Sequence, residues 1–306
     1  MNDDERWVHP YGTAAEGGFQ VSITDAVDGW RHTSLRVAAL DPGGRVDLVT
    51  GGDELIVVPL SGDCGVTVTD HTGERHEARL AGRESVFAGP ADVAYVPREA
   101  SLTVTNTGGA PAKVALCGAR AAKLAAPLPF RHVRAAEVPV ELRGAGRASR
   151  EVRNFGVPRV LDADSIIACE VITPAGNWSS YPPHKHDEER DGVETELEEI
   201  YYFEVRADGG APPGADPVGY QRVYGTPERP IDVLAEVRSG DVVLVPHGWH
   251  GPAMAPPGYD LYYLNVMAGP GPVRAWLICD DPAHGWVRDS WTQQEVDRRL
   301  PIGGSR

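Results

Sequence analysis

Short runs of β-branched and aromatic residues, each interrupted by Gly, Pro or Asp, extend along most of the chain and restrict what it can fold into. Glycine (35) and proline (26) are frequent among the 306 residues, which suits many strands joined by turns. Helical periodicity is scarce, and its clearest candidate is a C-terminal helix over residues 290–299 that Ser290 would cap. The pattern predicts an all-β protein with strands at 35–40, 54–60, 66–69, 101–105, 166–172, 200–205, 232–237, 241–245 and 260–267.

A weak internal repeat divides the chain into two similar halves. Residues 53–60 resemble 197–204, and residues 92–98 resemble 241–247, so each half has a strand that an acidic residue opens and a later strand that ends at proline. The first copy has no histidine at the corresponding places. We therefore predict an N-terminal barrel without metal ligands in residues 1–125, a linker in 126–150, and a metal-binding barrel with a C-terminal extension in 151–306.

The segment 126–150 contains five arginines: Arg131, Arg134, Arg143, Arg147 and Arg150. We interpret them as solvated, or as paired with the acidic partner domain, rather than as a dedicated site. The formal net charge of the whole chain is −15. This charge argues against a nucleic-acid surface, because neutralising phosphates requires a basic patch.

The cysteines and the apolar runs predict where such a protein resides. The four cysteines (Cys64, Cys117, Cys169 and Cys279) are scattered without a C-x-x-C pair, so we expect reduced thiols. No apolar run approaches the roughly 18 residues of a membrane span, and residues 1–6 do not begin a signal segment. We expect a cytoplasmic protein without a nucleic-acid or membrane partner, which self-associates through exposed barrel edges.

Four of the ten histidines fall in two short segments, 179–186 and 240–250. Residues two apart on a strand face the same way, so His184 and His186 can direct both imidazoles at one point. A carboxylate and a third imidazole from neighbouring strands would complete a site for one divalent metal ion. These ligand types suit Zn or Mn first, and Fe, Co and Ni are also compatible.

Both segments resemble the motifs of the cupin superfamily, which are H-x-H followed by Glu and G-x5-P-x-G followed by His. Gly240, Pro246 and Gly248 match the second motif, with His250 as its ligand. The spacer before the Glu, residues 187–197, is longer than usual and strongly acidic, so we interpret it as a solvated hairpin loop. The resemblance implies two cupin-type barrels, an architecture called a bicupin.

The same resemblance implies a ligand set of His184, His186, Glu198 and His250. Glu198 lies three residues before Tyr201, the offset that cupins commonly show, whereas Glu199 points the other way on an alternating strand. Glu199 stays open as the alternative carboxylate. His247 stays open as the alternative to His250, or as a residue that acts beside the metal.

The motifs S-S-Y-P-P-H-K-H-D, L-E-E-I-Y-Y-F and V-P-H-G-W-H-G-P, with D-D-P-A-H-G-W at 280–286, resemble a narrower family. That family contains the 5-deoxyglucuronate isomerases of myo-inositol catabolism and the 5-keto-4-deoxyuronate isomerases of pectin breakdown. The resemblance spans nearly the whole chain and implies an aldose–ketose isomerase that converts 5-deoxy-D-glucuronate to 5-dehydro-2-deoxy-D-gluconate. Such a reaction moves a proton between adjacent carbons while a metal stabilises the enediolate charge.

Four residues are candidates for this proton transfer: His247, Glu199, Lys185 and Tyr202, although Lys185 would point away from the metal on an ideal strand. Arginine suits the substrate carboxylate because its fork binds bidentately, and the candidates are Arg153, Arg274 and Arg288. Two alternatives stay open. A cupin dioxygenase that uses iron would consume oxygen, and a non-catalytic sugar-binding or regulatory bicupin would keep its ligand affinity without metal.

Overall fold

The computed structural model describes residues 3–303 and consists mainly of β-strands, which confirms the predicted all-β class. The first half of the chain comprises α1 (Asp3–Trp7), β1 (Val8–His9), β2 (Val21–Ile23), β3 (Thr33–Leu40), β4 (Arg45–Val49), β5 (Asp53–Thr69), β6 (Arg75–Arg83), β7 (Val93–Val96), β8 (Ser101–Asn106), β9 (Ala112–Arg120) and β10 (Arg131–Val133). The second half comprises β11 (Val140–Arg143), β12 (Arg150–Gly156), β13 (Ile167–Thr173), β14 (Trp178–Ser179), β15 (His184–Lys185), β16 (Glu198–Ala207), β17 (Gly219–Tyr224), β18 (Asp232–Val237), β19 (Val242–Val245), β20 (Trp249–Met254), β21 (Tyr259–Ala268), β22 (Cys279–Asp280) and α2 (Trp286–Ser290). Short 3-10 helices lie at Val86–Ala88, Ala135–Glu137, Gly146–Ala148 and Trp291–Gln293.

Strands β2 to β10 form the sheet of the N-terminal barrel. Its longest strand, β5, is continuous, whereas the sequence predicts separate strands at 54–60 and 66–69. The first part of β5 pairs with β7 and β9 and the second part with β6 and β8, and the pairing register shifts near Gly62, whose φ is +76°. Glycine reaches this φ without strain, so a single strand can bend here and pair with β7 and β9 before the bend and with β6 and β8 after it. Apolar side chains fill the barrel, among them Leu55, Val57, Val66 and Leu116.

Two sheets form the C-terminal barrel. The wider sheet has the order β1-β19-β16-β21-β13-β12-β11, and the narrower sheet has the order β18-β17-β20-β15-β22 with β14 beside β20. The predicted strands at 200–205, 232–237, 241–245 and 260–267 agree with β16, β18, β19 and β21 to within a residue or two. These strands carry the inner face on which the candidate site is built.

Residues 126–150, predicted as a linker, contribute strands to both barrels. β10 pairs with β7 of the N-terminal sheet, and β11 pairs with β12 of the wide C-terminal sheet. At the start of the chain, β1 also belongs to the wide C-terminal sheet, through its pairing with β19. The domain boundaries stay a prediction, and the two barrels exchange backbone pairing on both sides of them.

A pair of buried carboxylates joins the barrels in a reciprocal way. Glu54 at the start of β5 accepts the backbone N–H groups of residues 164–166 at 2.6–2.8 Å, just before β13. Glu198 at the start of β16 accepts the backbone N–H groups of residues 31–33 at 2.7–3.2 Å, where β3 begins. Glu54 and Glu198 occupy equivalent positions of the internal repeat, so each barrel caps a strand of the other. We call these two residues the capping glutamates.

The prediction of a C-terminal helix over residues 290–299 is wrong. The helix α2 ends at Ser290, a 3-10 turn follows, and residues beyond Gln293 are not helical. Ser290 is the last residue of α2, and its hydroxyl donates to the carbonyl of Val287. It therefore lies at the C-terminal end of a helix and does not cap the N-terminus of another. Tertiary contacts override the local signal here, because Arg150 and Arg288 lie over the ring of Trp291.

The cysteines agree with the expectation of reduced thiols. All four are free, and Cys64, Cys117 and Cys169 are buried. A separate observation concerns the helices: between residues 3 and 303, none is both long enough and apolar enough to cross a membrane.

Candidate metal centre and its cavity

Three histidines from two adjacent strands converge inside the C-terminal barrel. His184 on β15 lies directly opposite His250 on β20, and His186 is the first residue after β15. The ring centroid of His250 is 4.4 Å from that of His184 and 4.6 Å from that of His186. One nitrogen of each ring lies within 4.8 Å of the others. The convergence expected from the sequence is therefore present in the fold.

Backbone carbonyl groups orient two of these rings. Nδ1 of His186 lies 3.1 Å from the carbonyl oxygen of Leu197, and Nδ1 of His250 lies 3.2 Å from that of Gly248. In the tautomer that binds a metal, Nδ1–H of each ring would donate to its carbonyl and Nε2 would be free to face the centre. Metal-binding histidines in proteins are usually held in this way.

The carboxylate beside the histidines belongs to Glu199, and the prediction of Glu198 is wrong in this respect. Oε2 of Glu199 lies 3.1 Å from Nε2 of His186 and 3.1 Å from Nε2 of His250. Glu198 is one of the capping glutamates and faces the N-terminal barrel. Because successive residues of a strand point to opposite faces, only one of the two can reach the centre.

Burial and mutual contacts set the charge states at this centre. Burial, followed by the neighbouring imidazoles, lowers the pKa of His184 well below its ordinary value, so this ring is neutral at pH 7. Burial alone would raise the pKa of Glu199, but His186 and His250 outweigh it and lower that pKa to about 2. Burial likewise lowers the pKa of His186, but contact with Glu199 outweighs it, and the net pKa is raised. A neutral imidazole and an ionised carboxylate are the forms that bind metal.

The residues present fit a divalent metal ion. Ligand atoms about 2.1 Å from such an ion lie about 3.0–3.4 Å from one another, which the 3.1 Å separations match. Nε2 of His250 is buried and, although it lies near Glu199, has no aligned hydrogen-bond partner among residues 3–303. An orphaned buried nitrogen of this kind is costly unless something binds it. The donor set of three imidazoles and one carboxylate suits a transition metal.

Asp187 connects the two segments that carry the histidines. Its carboxylate accepts the backbone N–H of Gly248 at 2.9 Å and a hydrogen bond from Lys185 Nζ at 2.6 Å. Gly248 has a φ of +89°, and a Cβ there would lie 2.7 Å from the carbonyl oxygen of Tyr224, so glycine is required at this turn. The spacer 187–197 is thus only partly the solvated loop expected, because Asp187 and Glu194 are buried and hold Lys185.

A cavity of about 210 Å³ adjoins the histidines. Alternate residues of β11, β12, β13, β16 and β21 form one wall, and the C-terminal segment forms another. The lining residues are Arg143, Arg150, Val152, Val171, Ser180, His184, Glu199, Tyr201, Tyr263, Asn265, Trp276, Ile278 and Arg288. A concave site with convergent polar groups beside a potential metal centre is the usual form of an active site.

Of the four proton-transfer candidates, the cavity lining includes Glu199 alone. Lys185 is directed away, as an ideal strand predicts, and its ammonium group pairs with Asp187 and Glu194. Tyr202 faces the opposite side of β16 from Tyr201 and donates to Glu204 at 2.6 Å. His247 is absent from the lining, and burial followed by the charge of Arg229 lowers its pKa.

Of the three arginines expected to bind a carboxylate, the lining includes only Arg288. Arg153 is fully buried and pairs with Glu151 at 2.7 Å. Arg274 donates three hydrogen bonds of 2.7 Å to backbone carbonyls of Gly156, Leu161 and Ile166. Both arginines therefore have structural partners in place of a substrate.

Two arginines that the sequence analysis treated as solvated line the cavity instead. Arg143 and Arg150 face each other across β11 and β12, and Arg150 is only 6% exposed. The interpretation of these two as linker charges was wrong, because the linker residues extend the wide sheet. The alternation of Arg150 and Val152 ahead of a buried strand indicates that both side chains face the same way. The pattern is too short to predict a strand by itself.

The fold and the centre together define a bicupin with a three-histidine, one-carboxylate site in its second barrel. Residues 7–287 match the KduI/IolB family, and the chain belongs to this family. It is 40% identical over 276 residues to the 5-deoxy-glucuronate isomerase of Geobacillus thermodenitrificans, covering 90% of this chain and 93% of that protein. The family resemblance and the prediction of an enzyme are thereby confirmed.

Solved structures support the same fold. An IolB-like protein from Salmonella typhimurium is 34% identical, with a TM-score of 0.79 over 92% of this chain and 98% of that chain. The oxalate decarboxylase of Lactobacillus farciminis is 12% identical, with a TM-score of 0.63 over 90% of this chain and 88% of that chain. The second likeness concerns the two-barrel fold alone.

Proposed function

We propose that this protein is a metal-dependent aldose–ketose isomerase that converts 5-deoxy-D-glucuronate to 5-dehydro-2-deoxy-D-gluconate in myo-inositol catabolism. The observation that carries the proposal is the convergence of His184, His186, His250 and Glu199 beside a cavity that arginines line. Relatives named 5-deoxy-glucuronate isomerase, such as that of Geobacillus thermodenitrificans, support the choice of substrate.

The cofactor in this proposal is one divalent metal ion held by Nε2 of His186, Nε2 of His250, one ring nitrogen of His184 and the carboxylate of Glu199. Zn or Mn is the first expectation, and Fe, Co and Ni are compatible with the same ligands. When bound, the ion supplies Lewis acidity, which polarises a carbonyl oxygen and stabilises negative charge on neighbouring oxygens.

Side chains of the cavity supply the remaining chemistry. Glu199 is ionised at neutral pH, the form in which a carboxylate binds a metal, and its low pKa makes it a weak base. Burial, followed by the charge of Glu199, raises the pKa of Tyr201 well above its ordinary value, so its hydroxyl stays protonated. Tyr201 and Tyr263 both contact Ser180, at 3.4 and 3.2 Å, and these hydroxyl groups can donate hydrogen bonds to sugar oxygens.

The net charge of −15 repels an anionic substrate at long range, so capture of the carboxylate requires a local cation. The arginines of the cavity meet this requirement. A cytoplasmic location, self-association and the lack of nucleic-acid or membrane partners complete the proposal as predictions from the sequence.

Elemental analysis of the purified protein, together with an assay on 5-deoxyglucuronate, tests the proposal. We expect about one metal ion per chain and ketose formation, and both should disappear in His184→Ala and His250→Ala. His71→Ala, at an exposed histidine of the N-terminal barrel, serves as the control and should change neither quantity. Full activity in chelator-treated, metal-free protein would contradict the proposal. Oxygen consumption without ketose formation would instead favour a dioxygenase, and metal-independent sugar binding without turnover would favour a binding protein.

A further inference from the structure

One arginine of the cavity is buried without an anionic partner. Arg150 is 6% exposed, and in residues 3–303 its guanidinium makes one hydrogen bond, to the carbonyl oxygen of Ala148 at 3.0 Å. Its Cζ lies over the ring of Trp291, 5.4 Å from the ring centroid. A guanidinium has five N–H donors, and burying it without a counter-charge is costly. The position of Arg150 therefore indicates a partner that the protein itself does not provide.

The neighbouring arginines do not share this feature. Arg143 makes two hydrogen bonds to Glu141, at 2.9 and 2.7 Å. Arg288 makes two to Asp280, at 2.6 and 2.5 Å. Each of these cations is neutralised by its own carboxylate, whereas Arg150 has no ion pair with a carboxylate in residues 3–303.

The strand register makes this charge still less favourable. Arg150 lies directly opposite Arg143 in the pairing of β11 with β12, and like charges at such positions destabilise a sheet. The pKa of Arg150 is lowered to about 10, chiefly by burial; Arg143 and Arg288 also lower it, while Tyr263 and Glu141 oppose them. At neutral pH the group is still a cation, so an anion that binds there gains the full attraction.

Other polar groups of the cavity also lack acceptors. Nδ2 of Asn265 and Nε1 of Trp276 are buried in the lining, and neither has a hydrogen-bond partner within the described chain. Asn265 lies opposite Tyr201 in the pairing of β21 with β16, on the same wall as Glu199. A guanidinium with one acceptor for its five N–H groups, beside an amide nitrogen and an indole nitrogen that have none, suits an anion that carries several oxygens.

We propose that Arg150 binds the carboxylate of the sugar acid and thereby determines that the enzyme accepts uronates rather than neutral aldoses. This inference rests on the proposed function, because it assigns one end of that substrate. In this proposal the carboxylate forms a charge-assisted pair with Arg150. Asn265 and Trp276 donate to oxygens of the same molecule, and its aldehyde end reaches the side of the cavity that His184 and Glu199 line.

Calorimetric titration with D-glucuronate and with D-glucose tests this assignment on the complete protein, both metal-free and metal-loaded. Arg150→Met removes the charge at similar size, and Arg150→Lys keeps the charge but loses the fork. Arg147→Met, at an exposed arginine of the preceding turn, is the matched control. Metal content and melting temperature report whether each variant keeps its structure.

We expect Arg150→Met to weaken D-glucuronate binding about 10- to 100-fold, since a charge-assisted hydrogen bond contributes roughly 1.5–3 kcal/mol. Arg150→Lys should lie between this variant and the wild type, and Arg147→Met should stay within about twofold. Weak binding of D-glucose should be equal in all four proteins. In the isomerase assay the loss should appear mainly in KM, because the carboxylate is remote from the reacting carbons.

The outcomes separate the two proposals. D-Glucuronate binding that depends on Arg150, without any isomerase turnover, supports the carboxylate assignment and overturns the proposed function. Turnover of 5-deoxyglucuronate with an unchanged KM in both Arg150 variants overturns the assignment and leaves the function intact. A wild-type protein that neither binds D-glucuronate nor acts on 5-deoxyglucuronate overturns both.

Discussion

The two consecutive glutamates Glu198 and Glu199 have different roles in this protein. Glu198 accepts three backbone N–H groups of the N-terminal barrel, and Glu199 contacts two histidines of the proposed metal centre. Burial raises the pKa of Glu198, whereas the histidines lower that of Glu199. The pleat of β16 thus places a structural and a chemical carboxylate on opposite faces.

Substituting each glutamate by glutamine should separate stability from metal binding. We expect Glu199→Gln to lose metal and turnover while its melting temperature in the metal-free state stays close to that of the wild type. Glu198→Gln should retain metal but lose about 1–3 kcal/mol of unfolding free energy, because its amide leaves backbone donors unsatisfied. Metal analysis and urea unfolding measure the two effects. The reverse pattern would show that the residues are exchanged.

At this scale the sequence identified the histidines but not their carboxylate. His184 and His186 follow from a spacing of two on one strand, which needs no knowledge of the neighbours. Choosing between Glu198 and Glu199 requires knowing which face of β16 turns toward β15 and β20, and strands that are distant along the chain determine this. Arg150 was missed for a similar reason, because its partner strand begins in a segment that reads as a linker.

At the scale of elements, the barrels are joined by another buried contact in addition to those of the capping glutamates. Arg83 at the end of β6 forms a buried ion pair with Glu170 on β13, and the hydroxyl of Tyr262 donates to the same carboxylate at 2.7 Å. Burial alone would raise the pKa of Glu170, but the charge and hydrogen bonds of Arg83 outweigh it and lower that pKa. The pair therefore links strand β13 to the N-terminal barrel only while Glu170 is ionised.

This contact should make stability depend on pH. A carboxyl whose pKa is lower in the folded state contributes stability above its unfolded pKa of about 4.3, and loses it as the pH falls through the folded value. We expect Glu170→Gln to cost about 3–5 kcal/mol at pH 7 and to show a shallower loss of stability below about pH 4. Urea unfolding between pH 7 and pH 3 measures both. Glu77→Gln, in the exposed pair with Arg75, is the control and should change stability by less than about 1 kcal/mol; an equal response would contradict the expectation.

Most strands were predictable because β-branched runs bounded by Gly and Pro have few other solutions. The continuity of β5 was not, since Gly62 reads as a break although it serves as a bend within one strand. Residues 290–299 carried a plausible helix signal, but contacts of Trp291 with two arginines fix another conformation there. Pairing partners such as β1 with β19 are non-local, so no local pattern could specify them.

At the scale of the molecule, one apolar core spans both barrels, in addition to the separate core inside the N-terminal barrel. A continuous cluster of buried residues includes Trp30 and Leu35 from the first half and Phe203 and Tyr262 from the second. The capping glutamates add hydrogen bonds in both directions. Although the barrels form an internal repeat, neither should be stable alone, because separation would expose apolar surface and leave buried donors unsatisfied.

The full chain should consequently unfold in a single cooperative transition. We expect coincident far-ultraviolet circular dichroism and tryptophan fluorescence curves in urea. Residues 151–306 expressed alone should show no cooperative transition and no stoichiometric metal binding, although all four proposed ligands are present. Two resolved transitions in the full chain, or a folded and metal-binding fragment, would contradict this expectation.

The pairing of β1 with β19 has a consequence during synthesis. Val8 leaves the ribosome long before its neighbour Val243, because the two strands are far apart along the sequence. The last proposed ligand, His250, follows a few residues later, so the nascent protein holds an unpaired first strand and an incomplete ligand set for the same interval. If the proposed centre binds a metal, loading must wait until β20 has been made, so the pairing of β1 and the completion of the centre fall in the same stage of synthesis.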